Sequence, residues 1–361
     1  MSSVGLETPE FEPLSVSCAL CLLGEHQHLL GAGSVHIATN LRVRVKVTEC
    51  EDEFSLSVGG SAPEGEGEAE GGAAEELEGP VPADAGGAVL DPVAGRLPWP
   101  DPTPVSQFVA RWEKALSGDI LNEPELVAGL NIEVDFGPLW YICPPQVLLM
   151  SPALAVGLAV AGTSLRGQAP AYAELAELAR RLRAEVVAQD GADATRCYND
   201  ALMGITGGAA YVERGADLLN VQQLLPPESF ILALASGVGP EDGADEHCRV
   251  VRQALRKLGE AGRCVSGTGD EADLSRVFEL CGDVLDERET AMLYGLMRAR
   301  QMVDSLLEDL VGPFVDNDRL AEVCDEESAI LADYFGFPAE PYDRVRAAAA
   351  EAGALGAKLT W

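Results

Sequence analysis

Positive charge is scarce in this chain. Its 361 residues include 25 Lys and Arg against 59 Asp and Glu, which gives a formal net charge of −34. A surface of this sign repels nucleic acid and anionic lipid, so we expect neither a nucleic-acid partner nor a membrane partner. No Lys or Arg occurs between Met1 and Asn40, so an anionic substrate needs a cation or a helix N-terminus from elsewhere in the fold.

Targeting signals, long apolar runs and paired cysteines are also lacking. Residues 1–13 are acidic and contain no basic segment followed by an apolar one, so they do not form a signal peptide. The most apolar stretch, roughly Leu148–Ala161, is shorter than the ~20 residues that span a bilayer. The nine cysteines are odd in number and scattered, which argues against a disulfide framework and favours a cytoplasmic location.

Two short patterns have the spacing of metal ligands, but each lacks further ligands nearby. Cys18 and Cys21 form a CxxC in an apolar, strand-like run with no second CxxC, so two buried small side chains are the better interpretation. His26 and His28 lie two residues apart in a strand or turn. We therefore predict no metal site.

Alternating and helical hydrophobic patterns extend along most of the chain. Residues 14–48 predict two strands around a turn at 24–33, and Leu41–Val47 alternates strictly between apolar and basic side chains. A strand is predicted from Leu130 to Tyr141, and a strand pair over Leu218–Ser236. Helices are predicted at 105–116, 148–163, 172–187, most of 245–310, 316–335 and 342–352.

This order, first β-rich, then mixed, then α-rich, predicts an α+β protein with two lobes. We place the lobes at 14–205 and 206–361. Within the first lobe, Ser61–Gly87 consists almost entirely of Gly, Ala, Glu, Pro and Ser, which cannot bury enough apolar surface to fold. We predict a disordered acidic insert at about 57–100, with an acidic partner-binding segment as the alternative.

Several segments form a distinctive series. Leu22-Leu23-Gly24-Glu25-His26 precedes the strand at Ser34–Val47, and Ala201–Ile205 precedes Gly215–Leu219; Val323–Ser328 and Gly353–Thr360 follow. In this order they resemble motifs of the galactokinase branch of the GHMP kinase superfamily. The resemblance covers most of the chain outside the insert.

The resemblance implies a two-lobed GHMP-kinase-like fold, with an N-terminal lobe similar to a ribosomal S5 domain and a C-terminal α+β lobe. It also implies an activity, the transfer of a phosphoryl group from ATP with Mg²⁺ to a sugar hydroxyl in the cleft between the lobes. Such chemistry needs a phosphate cradle, a charge-stabilising group and a group that orients or deprotonates the nucleophile.

By the same resemblance, the groups for the chemical step are lost. Aligning on Gly204-Ile205 places Gly207 at the position of the catalytic Asp, and residues 206–210 are all neutral. Ala19 falls at the position of the Arg. The catalytic residues are therefore unknown at this point.

The binding motifs are partly kept. Glu25, His26 and His28 fall in the sugar-recognition segment, where a hydrogen-bonded turn between two strands is the alternative. In the phosphate loop, two serines of the family are Leu149 and Met150, and Ser151 remains as a phosphate ligand or as an ordinary helix cap. Gly356 and Lys358 correspond to the last nucleotide-binding motif.

These features support two hypotheses about function. The first is a galactokinase-like enzyme with eroded catalytic motifs, which uses ATP and Mg²⁺. The second is a non-catalytic pseudokinase that binds a sugar or nucleotide as a sensor or scaffold, which needs no cofactor. Both predict a small-molecule partner.

The predicted insert gives a first test. Deleting Ser61–Gly87 should leave the melting temperature nearly unchanged, because a segment with so few large apolar residues contributes little to a core. Scanning calorimetry of the full chain and the deletion variant measures this. A fall of many degrees would show that the segment is part of the folded structure.

Overall fold

The structure is a computed structural model. It describes residues 12–49, 55–60, 105–120, 130–143, 145–187, 197–214, 219–224, 243–263, 278–279, 281–310, 316–336 and 339–358. The predicted acidic insert lies outside these residues except at its start. There the prediction began too early, because Ser55–Gly59 forms a strand that pairs with residues 131–135.

The described residues contain a six-stranded mixed sheet built around one long strand. The strands are β1 (Leu14–Leu23), β2 (Ser34–Glu49), β3 (Ser55–Gly59), β4 (Leu130–Asp135), β5 (Ala209–Arg214) and β6 (Leu219–Leu224). The order is β3-β4-β2-β5-β6, and β1 pairs with β2 along the opposite edge of that strand. Only the β3–β4 pair is parallel among these strands.

The alternation in β2 explains why this strand is central. Val43, Val45 and Val47 are buried, whereas Arg42 and Arg44, which alternate with them, are exposed. A strand with one apolar face places that whole face on the core. β4 is shorter than predicted: it ends at Asp135 because Gly137 turns the chain in a left-handed conformation, with φ 55°.

Helices cover both faces of the sheet. They are α1 (Val105–Ala115), α2 (Leu139–Ile142), α3 (Pro145–Leu149), α4 (Pro152–Leu165), α5 (Tyr172–Val187), α6 (Cys197–Thr206), α7 (Gly243–Glu260), α8 (Glu287–Leu310), α9 (Asn317–Phe335) and α10 (Ala339–Glu351). The long helical region predicted after residue 245 is thus divided, with a turn at Gly262, where φ is 68°.

Two apolar cores lie on either side of the sheet. One joins Val43 and Val45 of β2 to helices α1 and α4–α6, and the other joins Val35 and Ile37 to helices α7–α9. This arrangement confirms the predicted α+β class. The sheet crosses the predicted lobe boundary, since β5 pairs with residues 34–37 of β2. The boundary at 205/206 itself stays a prediction.

Helices α3 and α4 form the most apolar part of the fold. Val147–Leu165 is 19 residues long and apolar enough to cross a membrane, which corrects the shorter run estimated from sequence. However, 67% of its most apolar window is buried inside the protein, and a turn at Met150–Ser151 interrupts the helix. These features are those of a core helix.

Close packing of α4 on β2 predicts a stability difference between two glycines. A Cβ on Gly157 would lie 2.5 Å from Val45 Cγ2, whereas a Cβ on Gly259 in α7 meets nothing within 4 Å. Gly157→Ala should therefore destabilise the protein by about 1–3 kcal/mol through overpacking. Gly259→Ala should be neutral or stabilising by up to about 1 kcal/mol, because alanine favours the helix. Denaturant unfolding of both variants checks this, and equal stability would contradict the packing.

Candidate functional site

The loop between β1 and β2 has a compact backbone that brings its polar side chains together. Gly24 and Gly31 have φ of 85° and 66°, and a short 3₁₀ turn covers Gln27–Leu30. Gln27 is fully buried and its Nε2 donates to the carbonyl of Leu296 at 2.7 Å, which ties the loop to α8. The loop therefore presents its side chains from a well-supported position.

His26 is held in an unfavourable backbone conformation. Its φ of 64° makes it the only non-glycine residue with positive φ in the described part of the chain. Its ring is buried, stacks on Phe335 with centroids 5.7 Å apart, and has Nδ1 3.4 Å from Cys248 Sγ. Strain of this kind costs of order 1–3 kcal/mol and persists where the surroundings favour one position of the side chain.

Glu25 lies in a buried charged cluster with Glu327 and Lys358. Lys358 Nζ is 3.3 Å from Glu25 Oε1 and 3.5 Å from Glu327 Oε2, and all three side chains are at most 5% exposed. Glu327 Oε1 also accepts from the backbone amides of Gly24 and Glu25, at 2.8 and 3.2 Å. The cluster thus joins the β1–β2 loop, helix α9 and the C-terminal segment.

The cluster contains one positive group, Lys358, and two acidic groups, Glu25 and Glu327, so its charges do not cancel if both acids are ionised. Burial would lower the pKa of Lys358, but the carboxylates of Glu25 and Glu327 outweigh it and raise that pKa above its ordinary value. Burial raises the pKa of Glu327, more than Lys358 lowers it. One ammonium faces two carboxylates, so the cluster favours retention of a proton on a carboxyl group.

A second polar cluster lies beside the first, between β2 and α6. His36 Nδ1 is 2.8 Å from Asp200 Oδ1, and His36 Nε2 is 2.7 Å from Ser34 Oγ. Asn199 Nδ2 donates to Ser34 Oγ at 3.2 Å. Ser34 and His36 lie on the same face of β2 because they are two residues apart. Asp200 lies in the first turn of α6, near the positive end of the helix dipole.

Both clusters border one small pocket. It is lined by Cys21, Gly24, Glu25, His26, His28, Ser34, His36, Asn199 and Asp200. The pocket has room for a water or two but not for a hexose. The fourth histidine of the chain, His247, is also close, with its ring centroid 6.0 Å from that of His26.

The structure places the predicted sugar residues together and adds a carboxylate that the sequence analysis missed. Glu25, His26 and His28 all border the pocket, as does Asp200. Gly207 instead follows the last residue of α6, with φ 71°. Asp200 precedes it by about two helical turns and was overlooked because the comparison was aligned on Gly204-Ile205.

Ala19 lies on β1 opposite Ala38, two pairs along from the Cys21–His36 pair and so on the same face of the sheet. Cross-strand partners share a face, so His36 is the basic side chain next to that position. The pocket lining among the described residues includes no Lys or Arg.

The residues predicted for nucleotide binding make contacts within the protein. Ser151 caps α4 and its Oγ accepts from the amide of Leu154 at 3.3 Å. A Cβ on Gly356 would lie 2.6 Å from the carbonyl of Ala321, so this glycine lets the C-terminal segment approach α9. Lys358 belongs to the charged cluster described above. Their role toward a nucleotide stays a prediction.

Burial raises the pKa of both thiols of the CxxC pair. For Cys18 the pKa rises to about 11, and for Cys21 it rises well above its ordinary value. Cys21 Sγ donates to the carbonyl of Leu23 at 3.2 Å. Within the described ranges, no group of three or more His, Cys, Asp or Glu has the arrangement of a metal site.

The fold resembles those of small-molecule kinases. A crystal structure of Lactococcus lactis galactokinase complexed with galactose has a TM-score of 0.63 at 15% identity and covers 97% of this chain and 82% of its own. Leishmania major mevalonate kinase in complex with R-mevalonate has a TM-score of 0.55 at 12% identity, covering 98% and 85%. Methanococcus jannaschii mevalonate kinase has 0.51 at 13%, covering 98% and 87%.

These likenesses confirm the predicted GHMP-kinase-like fold. No protein-family model matches the sequence, and no curated protein matches it. At such low identity these likenesses establish the fold alone. The activity has to be inferred from the residues of the site.

The charged cluster predicts a large effect of removing its cation. Lys358→Met leaves Glu25 and Glu327 buried together, which should destabilise the protein by about 3–5 kcal/mol. Lys114→Met, at an exposed position on α1, should change stability by less than about 0.5 kcal/mol. Adding Glu327→Gln to Lys358→Met should recover part of the loss, since it removes one negative charge.

The pH dependence of the Lys358→Met variant follows from the direction of the Glu327 shift. An acid whose pKa is raised by folding loses stability as pH rises through that pKa. The deficit should therefore shrink as pH falls toward 4.5, the ordinary value for Glu327. Urea unfolding at several pH values measures it. A variant as stable as the native protein at neutral pH would contradict the buried ion pair.

Proposed function

We propose that this chain is a small-molecule kinase that phosphorylates a sugar hydroxyl, with Mg·ATP as the co-substrate. The observation that carries the proposal is the position of Asp200, a carboxylate 17% exposed, among the predicted sugar residues. The galactose complex of the Lactococcus galactokinase makes galactose the first substrate to test. We propose a cytoplasmic location for such an enzyme.

Asp200 has the features of a base for this reaction. Its Oδ1 is 2.8 Å from His36 Nδ1, which orients the carboxyl group, and the residue lies in the first turn of α6. The proton of the sugar hydroxyl would pass to the carboxylate as the sugar oxygen attacks the terminal phosphorus, and ADP would leave. General base catalysis of this type contributes about 10²–10⁴-fold to a rate.

Glu25, His26 and His28 would recognise the other hydroxyls of the sugar. Carboxylate and imidazole groups accept and donate the hydrogen bonds that a polyhydroxylated ligand needs. A hexose requires the loop at 24–33 to move outward, since the pocket has room for only a water or two. Closure around a bound sugar would then exclude water from the reaction.

A non-catalytic sugar-binding protein is the second candidate. It is favoured by the residues predicted for nucleotide binding, because Lys358 is engaged by Glu25 and Glu327 and Ser151 caps its own helix. Leu149 is buried at the loop where the family has a serine. These contacts fit a phosphate cradle poorly, and a protein that only binds a sugar does not need one.

One substitution distinguishes the two candidates. Asp200→Asn should lower ADP release with Mg·ATP and the best hexose by at least about 100-fold, because the amide cannot accept the proton. Asp304→Asn, which changes an exposed carboxylate on α8, should leave the rate unchanged. Coupled ADP assays over a hexose panel measure both rates.

The melting temperature with and without sugar and ATP provides the control. A native protein that turns over no hexose, yet is stabilised by a sugar alone, would contradict the kinase and support the binding protein.

A further inference from the structure

Ser34, His36 and Asp200 form an unbroken series of hydrogen bonds. The Ser34 Oγ to His36 Nε2 distance is 2.7 Å, and the His36 Nδ1 to Asp200 Oδ1 distance is 2.8 Å. Ser34 and His36 are each 4% exposed, and all three residues border the pocket. Ser34 is therefore a buried residue in the lining of a pocket rather than in a sealed core.

The partners determine which ring nitrogen carries the proton. An ionised carboxylate only accepts hydrogen bonds, so Asp200 requires a proton on His36 Nδ1. In the neutral imidazole Nε2 is then an acceptor, and the hydroxyl of Ser34 is its donor. This is the arrangement in which a histidine removes the proton of an attacking serine while a carboxylate orients the ring.

A further donor lies beside the serine oxygen. Asn199 Nδ2 is 3.2 Å from Ser34 Oγ and 3.4 Å from His36 Nε2. An amide next to a nucleophile can stabilise the negative oxygen that forms when the nucleophile attacks a carbonyl. Asn199 and Asp200 are neighbours at the start of α6, so one helix positions both groups.

We propose that Ser34 is a nucleophile for acyl transfer and that the chain hydrolyses short-chain esters at this pocket. Ser34 Oγ attacks the ester carbonyl carbon and its proton passes to His36 Nε2. The bond to the alcohol oxygen breaks, and the alcohol leaves with that proton. A water molecule, deprotonated by His36, then attacks the acyl carbon on Ser34. The bond from that carbon to Ser34 Oγ breaks, the serine oxygen takes the proton back from His36, and the carboxylic acid leaves.

The size and the charge of the pocket limit which esters can react. Its small size favours acetyl, the smallest common acyl group, over longer ones, and Glu25 and Asp200 on its wall disfavour an anionic substrate. We therefore expect neutral acetyl esters to react and long-chain or negatively charged esters to be excluded. This inference does not rest on the kinase proposal, because the nucleophile is Ser34 rather than a sugar hydroxyl. Both proposals use Asp200.

The test is covalent labelling of the folded, full-length chain with a fluorophosphonate that carries short alkyl groups. Ser34 Oγ should attack the phosphorus and displace fluoride, giving an adduct that peptide mass spectrometry assigns to Ser34. Ser34→Ala should abolish the adduct. His36→Gln should slow its formation by at least about 100-fold, because the general base is lost.

Ser17→Ala is the matched control, since Ser17 is also a buried strand serine but does not border the pocket. It should be labelled at the native rate, and hydrolysis of p-nitrophenyl acetate should follow the same pattern across the variants. Native protein unfolded in urea should lose the labelling. This comparison uses no variant, so it tests the proposal even if a substituted protein misfolds.

Either of two results would overturn the proposal: no adduct at Ser34 in the folded protein, or equal labelling of folded and unfolded protein. The kinase assay reports ADP release and this assay reports an adduct on Ser34, so failure of one is distinguishable from failure of the other.

Discussion

The ammonium group of Lys358, buried between Glu25 and Glu327, is the interaction on which the site depends. It joins the C-terminal segment to the β1–β2 loop and to α9, three parts of the chain that are remote in sequence. Two carboxylates cannot be buried together without a cation, so this lysine is what allows Glu25 to lie at the pocket wall. The loop that presents His26 in a strained conformation is supported by the same cluster, through the amides of Gly24 and Glu25.

The histidine–aspartate pair is the second constraint, and it determines what chemistry the pocket can perform. β2 supplies His36 and α6 supplies Asp200, so the pair forms only when the sheet and the helix pack together. Gly204 permits this packing, because a Cβ there would lie 2.9 Å from the carbonyl of Ser17 on β1. Gly204 belongs to a segment that resembles a family motif, and the fold shows why a glycine is needed there: it lets α6 pack closely on β1.

Much of the fold could be predicted from periodicity. The alternation at Leu41–Val47 predicted the central strand, and Ser151-Pro152 predicted the start of α4. The site was harder, because Asp200 and Lys358 act through contacts over long sequence separations that no local pattern contains. A signal was nevertheless present: His36 interrupts an apolar strand, and Asn199-Asp200 interrupts an apolar helix. Buried polar residues need partners, so two such interruptions indicate a pair.

Charge also limits what the pocket can bind. Its described lining contains Glu25 and Asp200 but no Lys or Arg, and the net charge of the chain is −34. Lys358 adds little attraction at the pocket, because Glu25 and Glu327 already outweigh its charge. A free triphosphate would therefore be repelled, and only one that carries Mg²⁺ reduces the repulsion. Neutral molecules such as a sugar or a short ester face no such barrier, so the electrostatics of the site favour the hydroxyl-bearing or acyl-bearing substrate over the nucleotide.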